Sequence, residues 1–197
     1  MKIGIFGGSF NPPHKMHKKI AITLIKKHYV DKVIFVPTGS KYKYKNNLLS
    51  DKVRLEMLKL MCKDNKNLEV SDYELKENVV YTYETLDYFK NKYKNDEIYF
   101  ICGTDNLSYI DKWKRGKYLL SNYKLLIIKR NSFKITDLLE KYKDYKDYKD
   151  NIIITDIEEN EISSTKIREM IYNNKRTETY LDKNVSDYIT RNKLYLK

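Results

Sequence analysis

Two histidines, His14 and His17, stand three residues apart in the stretch GGSFNPPHKMH (Gly7 to His17), and the whole chain of 197 residues holds only 3. On a helix, that spacing puts both rings on one face of one turn. An imidazole placed there can donate a hydrogen bond to a phosphate oxygen, more strongly when protonated. A second group with the same chemistry lies late in the chain, in ISSTKIR: Ser163, Ser164, Thr165 and Arg168. Helix N-termini carry partial positive charge, so acidic residues normally fill their first turns. The helix expected after Pro13 instead opens His14, Lys15, Met16, His17, Lys18, Lys19, and the one after Ser164 opens Thr165, Lys166, Ile167, Arg168 before Glu169. Neither start carries the Ser/Thr-x-x-Glu capping box. A basic first turn is unfavourable by about a few tenths of a kcal/mol unless an anion is present. With phosphate bound, the free N–H groups, the helix dipole and the side chains all pull the same way. Both starts therefore read as phosphate sites.

Other readings stand beside this one. Lysine is common throughout the chain, which accounts for Lys15, Lys18 and Lys19 without a ligand. His17 continues the apolar stripe of Ile20, Ala21 and Leu24, so a core histidine is open. A zinc pair lacks a third His or Cys ligand, and no metal-ligating set is expected. Gly7 and Gly8 allow close approach of backbone to a ligand. They fit neither Gly-x-x-x-x-Gly-Lys-Ser/Thr nor Gly-x-Gly-x-x-Gly.

The elements that must position these groups follow from hydrophobic patterning. Apolar runs predict strands over 2–6, 32–37, 68–74, 97–103, 123–130 and 151–157. Helical stripes predict helices over 15–28, 50–61 (cap Ser50 or Asp51), 82–93 (cap Thr82, with Glu84 in the first turn), 163–174 and 185–193. Proline pushes the residue before it to extended geometry, so Asn11 and Pro12 are non-helical and the first helix begins close to His14. Strands alternating with helices give an α/β fold, a Rossmann-like doubly wound parallel sheet flanked by helices. Such a sheet binds ligands at its C-terminal strand ends, where strand order reverses. The glycine turns at Gly7-Gly8 and Gly103, and the lysine-rich loop 38–47, are candidates for that rim. The repeat KYKDYKDYKD (141–150) reads as a solvated helix resting Tyr142, Tyr145 and Tyr148 on the domain. No boundary divides the chain: residues 1–197 read as one domain with a small helical portion from about 163 to 197.

Net charge is +12, which raises a nucleic-acid-binding module as an alternative from a different class. Of the 39 basic residues, however, 33 are Lys and 6 are Arg, and the lysines are spread along the chain, as a compositional bias would leave them. Against that background each arginine carries more meaning, because its planar fork grips phosphate with two bonds. Hydrophobic content of 41% supports a core. No apolar run reaches the roughly 18 residues of a membrane span, and the N-terminus does not read as a signal peptide. Cys62 and Cys102 match no zinc spacing, and a cytoplasmic protein with reduced thiols is expected.

With GGSFNPPHKMH after the first strand and ISSTKIR before a late helix, the chain resembles the HxGH-type nucleotidyltransferase superfamily over nearly its whole length. The segments YT (81–82), ICGTDN (101–106), KW (112–113), LIIKR (126–130) and the terminal YITRNKLY are similar to those of bacterial nicotinate-nucleotide adenylyltransferases. The resemblance implies joining ATP to nicotinate mononucleotide, with Mg²⁺, to give deamido-NAD and pyrophosphate in NAD biosynthesis. It implies a monomer or homodimer with no nucleic-acid or membrane partner. His14 and His17 would hold the reacting phosphates. Arg168, with Ser163, Ser164 and Thr165, would hold the β- and γ-phosphates. Gly7, Gly8, Ser9 and Phe10 would lie along the phosphates, and Gly103 and Asp105 would contact the adenosine. Thr82 and Trp113 would hold the pyridine ring. One stretch departs from the family: the loop after the second strand is TGSKYKYK, without its usual proline and histidine, so Lys43 or Lys45 would supply the family's lysine. Nicotinamide mononucleotide or another phosphorylated acceptor stays open on that account.

Overall fold

A computed structural model of the chain describes residues 1–41, 48–130, 135–143, 148–158 and 162–196. The apolar runs form β1 (Lys2–Gly8), β2 (Lys32–Pro37), β3 (Leu68–Val70), β4 (Glu97–Gly103), β5 (Lys124–Lys129) and β6 (Ile152–Glu158). They make one sheet in the order β3-β2-β1-β4-β5-β6, parallel at every pairing. Strand order reverses between β1 and β4, so Gly7-Gly8 and Gly103 end neighbouring strands at the switch point.

Side chains alternate across the sheet with period two. Val33, Phe35, Ile101, Leu126 and Ile128 face one core, shared with helices α1 (Lys15–Lys26), α2 (Asp51–Cys62), α8 (Ser164–Tyr172) and α9 (Lys183–Arg191). Ile3, Ile5, Ile34, Val36 and Phe100 face the other, under α3 (Thr82–Lys92) and α5 (Gly116–Asn122). Full burial of one such side chain contributes about 1.5–3 kcal/mol. Two filled faces therefore fix the strand ends that carry the site.

Several boundaries differ from the sequence reading. The third strand stops at Val70: Ser71 N–H makes the last ladder bond, to Phe35 O at 2.9 Å, and the chain leaves the sheet after it. Thr82 opens α3 rather than capping it: Tyr81 is the cap residue, and its N–H is held by Glu84 Oε2 at 2.8 Å. Short helices not read from the sequence are α4 (Thr104–Leu107), α5 and α6 (Ile135–Lys141); of the helix expected over 141–150, the described residues show the end of α6 and α7 (Tyr148–Asn151). Of the tyrosine repeat, Tyr142 is wholly buried and donates to Asp111 Oδ1 at 3.2 Å, more than resting on the surface; Tyr145 lies outside the described residues.

Candidate active site

The C-terminal ends of β1 and β4 open into a cleft of ≈ 1170 Å³. Gly7, Gly8, Ser9, Phe10, His14, His17, Thr82, Gly103, Asp105, Trp113, Ser163, Ser164, Thr165 and Arg168 all line it. Residues from both ends of the chain thus meet at one rim. Lys43 and Lys45 lie outside the described residues.

His14 is the cap residue of α1, in extended geometry. Its N–H donates to His17 Nδ1 at 3.1 Å. The second histidine therefore does what Glu does in a capping box. The bond also fixes a tautomer: a neutral His17 ring carries its hydrogen on Nε2, the donor side. The two rings stack with centroids 3.7 Å apart. His14 is 2% exposed, and its Nδ1 is buried without a hydrogen-bond partner among the described residues. Burial, reinforced by the nearby Arg130 cation, pulls His14 down to about 4. Burial, then His14 and Arg130, holds His17 well below the usual histidine range. Both rings are neutral at pH 7, with polar edges available for an anion.

Phe10 shapes this arrangement from beneath. Its ring is 2% exposed and meets His17 edge-on at 5.0 Å and Phe35 at 5.6 Å. Its φ of 47° is left-handed, a strain of about 1–3 kcal/mol that the surrounding packing sustains. The ring belongs to the core, which leaves the Phe10 backbone for contact along the loop.

The lysines of the first turn point elsewhere. Lys15 Nζ donates to Glu178 O at 2.7 Å, and Lys18 Nζ pairs with Asp182 at 3.0 Å. The Lys15 N–H is also taken, by Tyr180 O at 2.8 Å. The acid that the first turn of α1 lacks in sequence is supplied by the C-terminal segment. The cleft meets the histidine face alone.

The opposite wall is the start of α8. Ser163 Oγ accepts from Lys166 N at 3.2 Å, and the first turn holds no acidic residue. Arg168, partly buried one turn in, donates to Asn11 O at 2.8 Å and to Thr165 Oγ1 at 3.2 Å. Ser164 Oγ donates to Pro12 O at 2.8 Å. The two basic helix starts are thus bolted together through the Asn11–Pro12 turn. Tyr195 OH adds a bond to Asn11 Oδ1 at 2.8 Å.

Arg130 was not singled out as a site residue in the sequence, although the scarcity of arginine was a signal pointing to it. It lines the cleft beside Asp105, with Nη1 to Oδ2 at 2.7 Å. A Cβ on Gly103 would stand 2.3 Å from Asp105 Oδ1 and 3.1 Å from Arg130 Nε. A side chain there would push the Asp105 carboxylate from its present place beside Arg130. Trp113 stands edge-on to Phe100 at 6.2 Å, with Thr82 and Thr85 on the same side of the cleft.

Residues 5–170 match the family model described as cytidylyltransferase-like. A relative from Clostridium beijerinckii, named "Probable nicotinate-nucleotide adenylyltransferase", is 38% identical over 98% of this chain and 98% of its own. Its namesake from Clostridium acetobutylicum is 38% identical over 99% of each. The chain belongs to the nicotinate-nucleotide adenylyltransferase family. The fold agrees with that membership. A Plasmodium falciparum nicotinic acid mononucleotide adenylyltransferase, solved in complex with NaAD, superposes with a TM-score of 0.81 at 23% identity, over 98% of this chain and 97% of that one. Its complex with APC gives 0.79 at 23% identity, over 98% and 96%. In this family member no helix among the described residues is long and apolar enough to cross a membrane.

Proposed function

We propose that the chain transfers the adenylyl group of ATP to nicotinate mononucleotide, releasing pyrophosphate and forming deamido-NAD, a step of NAD biosynthesis. The observation that carries this reading is the pair of tethered helix starts at the sheet's switch point, with the stacked His14 and His17 on one and Arg168 on the other. A phosphate oxygen of the mononucleotide attacks the α-phosphorus of ATP in line. That oxygen–phosphorus bond forms as the bond from the α-phosphorus to the bridging oxygen breaks, and the electron pair leaves on pyrophosphate. There is no covalent intermediate, so catalysis is positioning and charge stabilisation.

His17 Nε2–H and the His14 edge hold the reacting phosphates. Arg168 and the N–H groups of Ser164 and Thr165 hold the β- and γ-phosphates, since the first N–H groups of a helix lack partners within it. The loop from Gly7 to Phe10 lies along the polyphosphate. Gly103 and Asp105 meet the adenosine, and Thr82 and Trp113 hold the pyridine ring. Among the described residues no group of three or more His, Cys, Asp or Glu could hold a metal ion. The required divalent cation, Mg²⁺ in this reading, arrives with the ATP polyphosphate as part of the substrate and neutralises its charge. The working unit is the whole of residues 1–197, acting in the cytoplasm as a monomer or homodimer.

The test is pyrophosphate release from ATP and Mg²⁺ across a panel of acceptors: nicotinate mononucleotide, nicotinamide mononucleotide and phosphopantetheine. Turnover is expected to be fastest with nicotinate mononucleotide. Silence with every mononucleotide at millimolar concentration refutes the reading.

A further inference from the structure

Arg54, on α2, is among the largest fully buried side chains, with 0% exposure. It does not line the cleft. Among the described residues it makes four hydrogen bonds: Nε to Leu49 O at 3.0 Å, Nη1 to Ser9 O at 2.7 Å, Nη2 to Thr38 O at 2.6 Å and to Asp51 Oδ1 at 2.5 Å. The same Asp51 carboxylate accepts from Ser40 N at 2.9 Å and Ser40 Oγ at 3.3 Å. Leu49 N in turn donates to Asn11 Oδ1 at 3.3 Å, and Thr38 N to Gly8 O at 2.8 Å.

Burying a guanidinium is costly even when all three of its nitrogens are bonded, and apolar replacements of buried ion pairs are often as stable. Its bonds here therefore call for an explanation other than core filling. The three bonds to carbonyls go to segments that border the cleft. Ser9 belongs to the phosphate loop, and Thr38, Ser40 and Leu49 are the two stems of the 38–49 segment on the acceptor side. Gly39 packs onto the backbone of Glu74, whose carboxylate takes the hydroxyl of Thr85 in the acceptor wall at 2.7 Å. We propose that Arg54, held by Asp51, is a positioning residue that sets the spacing between the phosphate loop and the acceptor-side stems, and so places the mononucleotide for in-line attack. This inference rests on the adenylyltransferase reading. ATP meets this network through Ser9 alone, while the other carbonyl bonds hold the acceptor-side stems, so the mononucleotide should respond more strongly than ATP.

Arg54→Lys keeps the charge but replaces a flat fork with a single ammonium that cannot reach all of these carbonyls at once. The mononucleotide KM is expected to rise at least about tenfold and kcat to fall about tenfold or more, since misplacement near 1 Å can cost about a hundredfold in rate. The ATP KM is expected to rise less, by no more than about threefold, because Ser9 is its one link to the network. Asp51→Asn, at the more exposed end of the network, is the second variant and should move the same parameters in the same direction by about threefold. It decides the matter if Arg54→Lys does not fold. Folded variants with wild-type kinetics, or with both KM values shifted equally, overturn the inference while leaving the reaction standing. A wild-type protein silent with every acceptor removes the reaction itself, and this inference with it.

Discussion

Lowering the pH should destabilise this protein through His14, by an amount the structure sets. In the folded chain His14 is pulled down to about 4, chiefly by burial and then by Arg130. In the unfolded chain it returns to about 6.5. The folded pKa is the depressed one, so the unfolded state takes the proton first. Stability is therefore fully present above pH 6.5 and is lost as pH falls from there towards 4. At pH 5 the unfolded ring is almost wholly charged and the folded ring almost wholly neutral, and the loss is about 2 kcal/mol. It approaches about 3 kcal/mol at pH 4. Carboxylates also begin to titrate in this range, so the measurement is a difference. Urea unfolding at pH 7.5 and pH 5.0 is compared between wild type and His14→Gln, which keeps a polar side chain of similar reach and cannot charge. Wild type is expected to lose about 2 kcal/mol more than the variant. Equal losses would mean that His14 is solvated or stacked in a way that tolerates charge, and the neutral-ring account of the phosphate site would fall. Saturating ATP offers a second arm: polyphosphate beside His14 favours its charged form, so the acid sensitivity of wild type should shrink.

Two further outcomes follow from the site. His17→Ala removes the Nε2–H donor and should slow pyrophosphate release by at least about a hundredfold with circular dichroism unchanged; near-normal turnover would return His17 to the core. Gly103→Ala puts a methyl group 2.3 Å from Asp105 Oδ1, forcing the Asp105–Arg130 pair aside. The ATP KM should then rise about tenfold, with the mononucleotide KM little changed, in steady-state titrations of each substrate.

Strands β1, β2 and β4 were legible because their apolar runs end at glycine or proline, and Gly7-Gly8 and Gly103 stop where the sheet needs its rim. The histidine spacing and the late arginine were legible because both violate the ordinary charge of a helix start. What sequence could not show is what depends on distant partners. Lys15 and Lys18 belonged to a basic helix start that lysine abundance alone could explain, and they answer to the Glu178 carbonyl and Asp182, more than 160 residues on. Arg54 drew no reading of its own within the 50–61 helix, because its meaning lies in carbonyls at Ser9 and Thr38. Helix α5 was missed because GKYLLSN is short and begins with glycine. That glycine is required: a Cβ there would stand 1.8 Å from Ile110 O.

The bond from Tyr195 to Asn11 joins positions 184 residues apart. Translation runs at about 5–20 residues per second, so the phosphate loop waits about 10 to 40 s on the ribosome before Tyr195 is even synthesised. Arg168 and Ser164, its other fasteners, also come late in that interval. A nascent chain thus holds most of its sheet while its phosphate site is still loose. The last fastener of this turn is among the last features to form, and termination in the final helix removes Tyr195 and part of one core while Arg168 and Ser164 stay in the chain.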